Sequence, residues 1–294
     1  MEKVGYFKIF IIFTVVLSTN STRIDKCPVR PSISVLQCTG ATGDDLPQQP
    51  LPQIELLRLI NSSVPKIKKE YIKNFPELKN FQAGSSGIET IEDNTFRNMT
   101  YLERINISNN KLRRINPDLL QDCPAIFEFD ASGNTQLEIP IDKSFLNTPV
   151  LTALILSRCK IEKVSSFTFK NLTGLEHLSL AENNIETLPD DVFESLTKLY
   201  SIDLSGNKMK TISRQVFRYM PIKGTVLRFA RLTTLSFPRL SNNPWECDCA
   251  LYPMIQWFKE GNQNEELACV KPDTKKWKEI EDLNCSNNNI ATES

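Results

Sequence analysis

Eight cysteines and a single histidine are the residues of this chain with the widest chemical repertoire. Cys247-Asp-Cys249 sets two sulfurs one residue apart, and Cys269 and Cys285 follow. Such a set could bind zinc or close two disulfides. Structural zinc usually takes Cys-x2–4-Cys pairs, which Cys-x-Cys misses, so oxidation is the better reading. Four cysteines then allow three pairings. Cys27 and Cys38 bracket a short segment near the other end. His177 stands alone, with no second histidine or suitably spaced carboxylate to complete a metal site. Nothing in the sequence suggests a Ser-His-Asp or Cys-His set around it, and no phosphate-cradling glycine loop occurs. The expectation is a protein that is not an enzyme and takes no cofactor and no metal. Lys+Arg and Asp+Glu number 35 each. That balance gives no electrostatic case for nucleic acid or an anionic membrane surface.

The elements that carry these residues follow from an internal repeat. In Leu175-Glu-His-Leu178-Ser-Leu180-Ala-Glu-Asn183-Asn-Ile185-Glu-Thr-Leu188, apolar residues take places one, four, six, eleven and fourteen, with Asn at nine. Leu199, Ile202, Leu204, Asn207, Met209 and Ile212 repeat the block, as do Leu102, Ile105, Ile107, Asn110, Leu112 and Ile115. Looser copies start at Ile54, Leu78, Ile126 and Leu151. Successive starts are 24, 24, 24, 25, 24 and 24 residues apart, the one 25 arising around Thr135–Leu137. A second apolar landmark recurs at Ile72, Phe96, Leu120, Phe145, Phe169, Phe193 and Phe217.

Each landmark has a physical reading. Places three to seven alternate outward and inward, which predicts one short strand per copy, parallel to its neighbours. A single coil cannot bury its apolar face, so coils stack and share a core. Place nine calls for a short polar side chain that turns inward to satisfy backbone groups of adjacent coils. Its occupants are Ser62, Ser86, Asn110, Asn134, Cys159, Asn183 and Asn207. Cys159 thus reads as a ladder residue and not a nucleophile. Cys123 falls on an apolar place on the far side of the coil, and a bond between these two cysteines is left open. Bulky residues on the far side space the coils wider than the strands do, so the stack curves.

This pattern resembles the extracellular leucine-rich repeat family in its 24-residue form with a Phe spine, the form of Slit-type guidance proteins and Toll-receptor ectodomains. The resemblance runs from about Cys27 to Cys285. It implies an α/β fold: a curved right-handed solenoid, or horseshoe, with a parallel β-sheet on the concave face. The convex side would be irregular or short-helical, with disulfide caps at both ends. Asn243-Pro-Trp245-Glu-Cys247-Asp-Cys249 matches the family's carboxy-terminal cap, which implies the pairs Cys247–Cys269 and Cys249–Cys285. The amino-terminal cap is reduced, with only Cys27 and Cys38 where the family usually has four cysteines. Leu251, Ile255, Trp257 and Phe258 suit a short helix laid over the last coil. Residues 218–234 interrupt the period as an insertion, and Pro238 stands where the next coil, starting at Leu235, should place an apolar residue.

The expected organisation is a signal peptide over 1–21, the reduced cap over 22–53, repeats over 54–242, the cysteine-rich cap over 243–286 and a polar tail over 287–294. The leader reading rests on Lys3 and Lys8 flanking the apolar run Ile9 to Leu17, which is too short to span a bilayer. It predicts a secreted, extracellular protein with no membrane span. The functional expectation is non-catalytic recognition in innate immunity, adhesion or guidance. Alternatives are a truncated ectodomain of a membrane receptor, or a secreted enzyme inhibitor or effector. The partner would be an extracellular or cell-surface protein, or a glycan, on the concave face. Glycosylation acceptors of use are Asn61, Asn98, Asn106 and Asn171, with Asn20 and Asn284 poorly placed. A glycan on Asn106 would block part of the concave face and push the partner toward copies four to seven. The concave row runs Arg58, Gln82, Asn106, Asp130, Ile155, Ser179 and Asp203. Its candidate contacts are Phe127, Asp130, Ile155, Arg158, Tyr200 and Asp203, since aromatics and Arg tend to anchor interfaces.

Overall fold

The computed structural model describes residues 25–29, 34–219, 238–260, 267–271, 276–277 and 280. The expected leader, the sequons at Asn20 and Asn284, Cys285 and all but the first two residues of the 218–234 insertion lie outside these. In chain order the strands are β1 (Val35–Thr39), β2 (Leu56–Ile60), β3 (Lys66–Ile67), β4 (Asn80–Gln82), β5 (Thr90–Ile91), β6 (Arg104–Asn106), β7 (Glu128–Asp130), β8 (Ala153–Ile155), β9 (His177–Ser179) and β10 (Ser201–Asp203). The helices are α1 (Lys69–Ile72) and α2 (Tyr252–Glu260). Eight strands form one sheet in the order β1-β2-β4-β6-β7-β8-β9-β10, and β3 pairs with β5 in a second, small sheet.

Every neighbouring pair in the large sheet is parallel; β1, from the cap, pairs with β2 at a spacing of 21 residues, and from β2 onward successive strands are one repeat apart. Arg58 faces Gln82, which faces Asn106, then Asp130, Ile155, Ser179 and Asp203. The chain is therefore a solenoid, with the parallel sheet along its concave wall. Alternation along each strand sends Leu57, Phe81, Ile105, Phe129, Leu154, Leu178 and Ile202 inward, all at most 2% exposed. On the far side Phe96, Phe145, Phe169 and Phe193 are at most 1% exposed, and Phe169 and Phe193 lie 6.0 Å apart. These two apolar layers, shared between coils, are the core. The extra residue of coil four lies between Asn134 and Leu137, because Leu137 is buried where coil three buries Leu112.

Place eight has a backbone rule that side-chain periodicity does not reveal. Asn61, Ser85, Asn109, Gly133, Arg158, Glu182, Gly206 and Asn242 all have φ between 47° and 71°. The turn that aims place nine inward needs a left-handed residue, which favours Gly and Asn. At Gly133 a Cβ would meet Asn109 Oδ1 at 2.3 Å, so a side chain there would have to displace Asn109.

The ladder at place nine works the same way in each Asn coil. Asn110 Nδ2 donates to Ala83 O and Ile107 O at 2.9 Å, and its Oδ1 accepts from Ser86 N and Ile88 N at 2.9 Å. Asn183 repeats this with Leu156 O, Leu180 O, Cys159 N and Ile161 N. Asn134 and Asn207 make the corresponding bonds to Ile107 O and Ala131 O, and to Leu180 O and Leu204 O. Asn243 takes the same role for the last coil, donating to Leu204 O and Leu240 O at 3.0 Å. Cys159 is the weak rung. Its thiol donates to Ala131 O and Ser157 O at 3.4 Å, and burial pushes its pKa up to about 11.

Both ends are closed by disulfides. Cys27 pairs with Cys38 at the first strand, and Cys247 pairs with Cys269 after the last coil. Cys249 is also disulfide-bonded, while Cys123 and Cys159 are free, buried thiols. The open pairing question from the sequence is thereby answered for those two: they are not bonded to each other. Pro238 is buried at place four of the last coil, and Arg239 bridges to Asp203. Arg239 uses its own N–H and C=O toward coil seven, so the missing N–H of Pro238 belongs to the side away from β10. A proline is tolerated there, and it also blunts the edge against further pairing. Over this end lies α2, with Leu251, Ile255 and Phe258 buried and Trp257 stacked on Phe217 at 5.7 Å. Trp245 and Phe258 both pack edge-on against Trp277 at 5.5 Å.

Candidate functional site

The outward rows of the large sheet form a broad surface to which every coil contributes. At place three they are Leu56, Asn80, Arg104, Glu128, Ala153, His177 and Ser201, in register. Place five carries the row that includes Asp130, Ile155 and Asp203. Place two brings Phe127 and Tyr200 to the flank of the same face. Neighbouring strands lie about 4.8 Å apart, so side chains of adjacent coils touch.

Polar contacts cross from coil to coil along this face. Arg58 Nε donates to Gln82 Oε1 at 2.8 Å, Asn106 Nδ2 to Asp130 Oδ2 at 3.1 Å, and Arg104 pairs with Glu128 at 3.5 Å. The Arg104 guanidinium also sits 4.5 Å from the Phe127 ring centroid. Toward the far end Tyr200 Oη and His177 Nε2 are 2.6 Å apart, and Arg239 donates to Asp203 Oδ2 at 3.3 Å. Between these groups lie small side chains: Ala153, Ile155, Ser157 and Ser179 are half-buried, and the hydroxyls of Ser157 and Ser179 share a 2.7 Å hydrogen bond.

Of the six expected contact residues, five lie on this face or its flank: Phe127, Asp130, Ile155 and Asp203 half-buried, and Tyr200 exposed at 36%. Arg158 belongs elsewhere, on the left-handed turn at the rim, paired with Glu182 at 3.1 Å. Arg104, which covers Phe127, is the residue that sequence reading passed over. Its 24-residue spacing from Glu128 was a usable signal.

The acceptor asparagines divide by exposure. Asn61, Asn98 and Asn171 are exposed. Asn106 is half-buried, with Nδ2 on Asp130 and Oδ1 accepting from the backbone and hydroxyl of Ser108. One cleft lies on a lateral flank and not on the sheet. It holds about 790 Å3 and is lined by charges of both signs, among them Glu89, Lys111, Arg113 and Glu138. Among the described residues no group of three His, Cys, Asp or Glu side chains is placed to hold a metal, and no helix is long and apolar enough to cross a membrane.

Comparison with known proteins bears on the fold. A family profile described as leucine rich repeat matches residues 76–135, 149–209 and 182–222. The crystal structure of human 5T4 (Wnt-activated inhibitory factor 1, trophoblast glycoprotein) superposes with a TM-score of 0.68 at 19% identity, covering 89% of this chain and 97% of that one. The crystal structure of an LRIM1/APL1C complex matches at a TM-score of 0.44 and 18% identity, over 75% of this chain and 35% of that one. No curated protein matches the sequence.

Proposed function

This chain is a leucine-rich repeat protein, and from that premise we propose that it works outside the cell as a non-catalytic recognition module whose protein partner seats on the concave sheet. The observation that carries the reading is the sheet itself. It offers a continuous outward face, with aromatic anchors at Phe127 and Tyr200 and polar side chains already ordered by cross-coil bonds. Pre-ordered side chains lose less entropy when a partner docks. The oxidised pairs Cys27–Cys38 and Cys247–Cys269 support an extracellular setting, since such bonds persist in oxidising compartments. Glycans on the exposed Asn61, Asn98 and Asn171 fit the same setting. The choice among immunity, adhesion and guidance belongs to the partner's identity.

The test is affinity capture from extracellular fluid with the whole protein, repeated with Phe127→Ala combined with Tyr200→Ala. A partner held by the native protein and released by the double variant supports the reading. A partner held equally by both moves the interface off this face.

A further inference from the structure

Among coils three to seven, coil five alone presents no charge on its outward side: Thr152, Ala153, Ile155 and Ser157 are short, uncharged and half-buried. The coils on either side carry carboxylates. Coil four presents Glu128 and Asp130, and coil six presents Glu176. Parallel strands lie about 4.8 Å apart, so the flanking coils stand about 10 Å from each other. Coil five is thus the floor of a shallow trough with acidic walls, in a chain whose formal net charge is +0. Glu128 is already paired with Arg104, whereas Asp130 and Glu176 have no ion-pair partner among the described residues. The Phe127 border already holds one cation, the Arg104 guanidinium at 4.5 Å.

We infer that the trough over Ala153 and Ile155 is the seat for an arginine or lysine side chain of a protein partner. The inference rests on the concave-face reading and adds the chemistry of what docks there. An aliphatic stem covers the apolar floor while the charged head stays at the rim. That head reaches Asp130 on one wall or Glu176 on the other, and a guanidinium can bond a carboxylate through two N–H groups. A carboxylate-bearing segment would meet repulsion at both walls, so the surface selects by sign as well as by shape.

The experiment titrates the full chain with a labelled ten-residue peptide of alternating Arg and Ser, and with a Glu-Ser peptide of equal length, by fluorescence anisotropy at two salt concentrations. The Arg peptide is expected to bind, more weakly at high salt, and the Glu peptide not to bind. Asp130→Asn combined with Glu176→Gln is near-isosteric and breaks no described ion pair, but it gives up one of the two bonds that Asp130 accepts from Asn106 Nδ2 and Ser132 N. It should weaken the Arg peptide roughly tenfold. Ile155→Lys, which fills the trough with a cation, should weaken it at least as much. Glu138→Gln combined with Glu186→Gln, away from the sheet, should leave it unchanged. Equal binding of both peptides, or equal losses in the trough and control variants, overturns the inference. A captured partner that still depends on Phe127 and Tyr200 in that event keeps the concave-face reading and discards only the trough.

Discussion

Two rows of polar side chains run the length of the solenoid with the same period, a few residues apart in every coil. The inner row at place nine holds Asn in five of eight coils and the short side chains of Ser or Cys in the other three. The outer row at place five passes through Arg, Gln, Asn, Asp, Ile, Ser and Asp. The difference lies in what each row would leave unmet. Asn183 satisfies three backbone carbonyls and two backbone amides in the interior. Water cannot replace it there, and each orphaned group costs about 1–3 kcal/mol. Outer-row side chains face water, which takes over any contact they give up. Uniformity therefore marks the row that holds the stack together, and variety marks the row free to specify a partner.

The sharpest way to break this comparison is to empty one inner rung. Asn183→Ala removes five interior hydrogen bonds and should cost about 3–4 kcal/mol. A urea titration would show the midpoint falling steeply. A loss below about 1 kcal/mol would mean that the inner row is no more structural than the outer one. Next comes the cap. Replacing Cys247 and Cys269 together by Ala should cost about 3 kcal/mol, the usual range for one disulfide. Because each coil contacts mainly its neighbours, amide exchange should rise first in α2 and the last coil and barely change at β2.

The weak rung sharpens the comparison in the opposite direction. Cys159 offers one weak S–H donor where an Asn rung offers two N–H donors and an acceptor oxygen. Cys159→Asn should therefore gain about 1 kcal/mol, read as a higher urea midpoint. The thiol also predicts a pH effect. Burial raises its pKa to about 11, against the opposing backbone amide of Asn134. The unfolded thiol, near 8.5, releases its proton first, so the folded state holds more protons as pH rises from about 8.5 to 11. The stability linked to this thiol is whole below about 8.5 and is lost through that window. Cys159→Ser should flatten the decline, measured as urea midpoints at pH 7.5 and 10. An unchanged slope would place the decline elsewhere.

Much of this was legible from the period. Strand positions, the inward apolar rows, the Phe spine and the sheet order follow from starts spaced 24 residues apart, because alternation and stacking are local rules applied repeatedly. What stayed hidden depends on other things. Asn243 is a rung 36 residues after Asn207 across the insertion, so the 24-residue interval alone misses it and only the restart at Leu235 brings it to place nine. The left-handed turn at place eight has only a partial composition signature, since Gly or Asn fills five of its eight positions while Ser85, Arg158 and Glu182 fill the others. Trp277 closes the cap core through contacts with Trp245 and Phe258 that belong to no repeat. On the face itself, phase brought Phe127 and Tyr200 near the concave row, but not the cation over Phe127. That contact depends on where two side chains on neighbouring coils extend, and spacing does not encode side-chain direction.

The smallest expected effect completes the contrast between the rows. Ser179 stands four residues before Asn183 in the same coil, half-buried and bonded only to the hydroxyl of Ser157. Its loss leaves one hydroxyl that water can reach. Ser179→Ala should thus move stability by no more than about 0.5 kcal/mol, within the spread of ordinary surface substitutions. Urea midpoints of the two alanine variants, measured side by side, give the contrast directly. If Ser179→Ala costs as much as Asn183→Ala, the outer face is part of the scaffold, and its variety could not then have arisen from freedom to change.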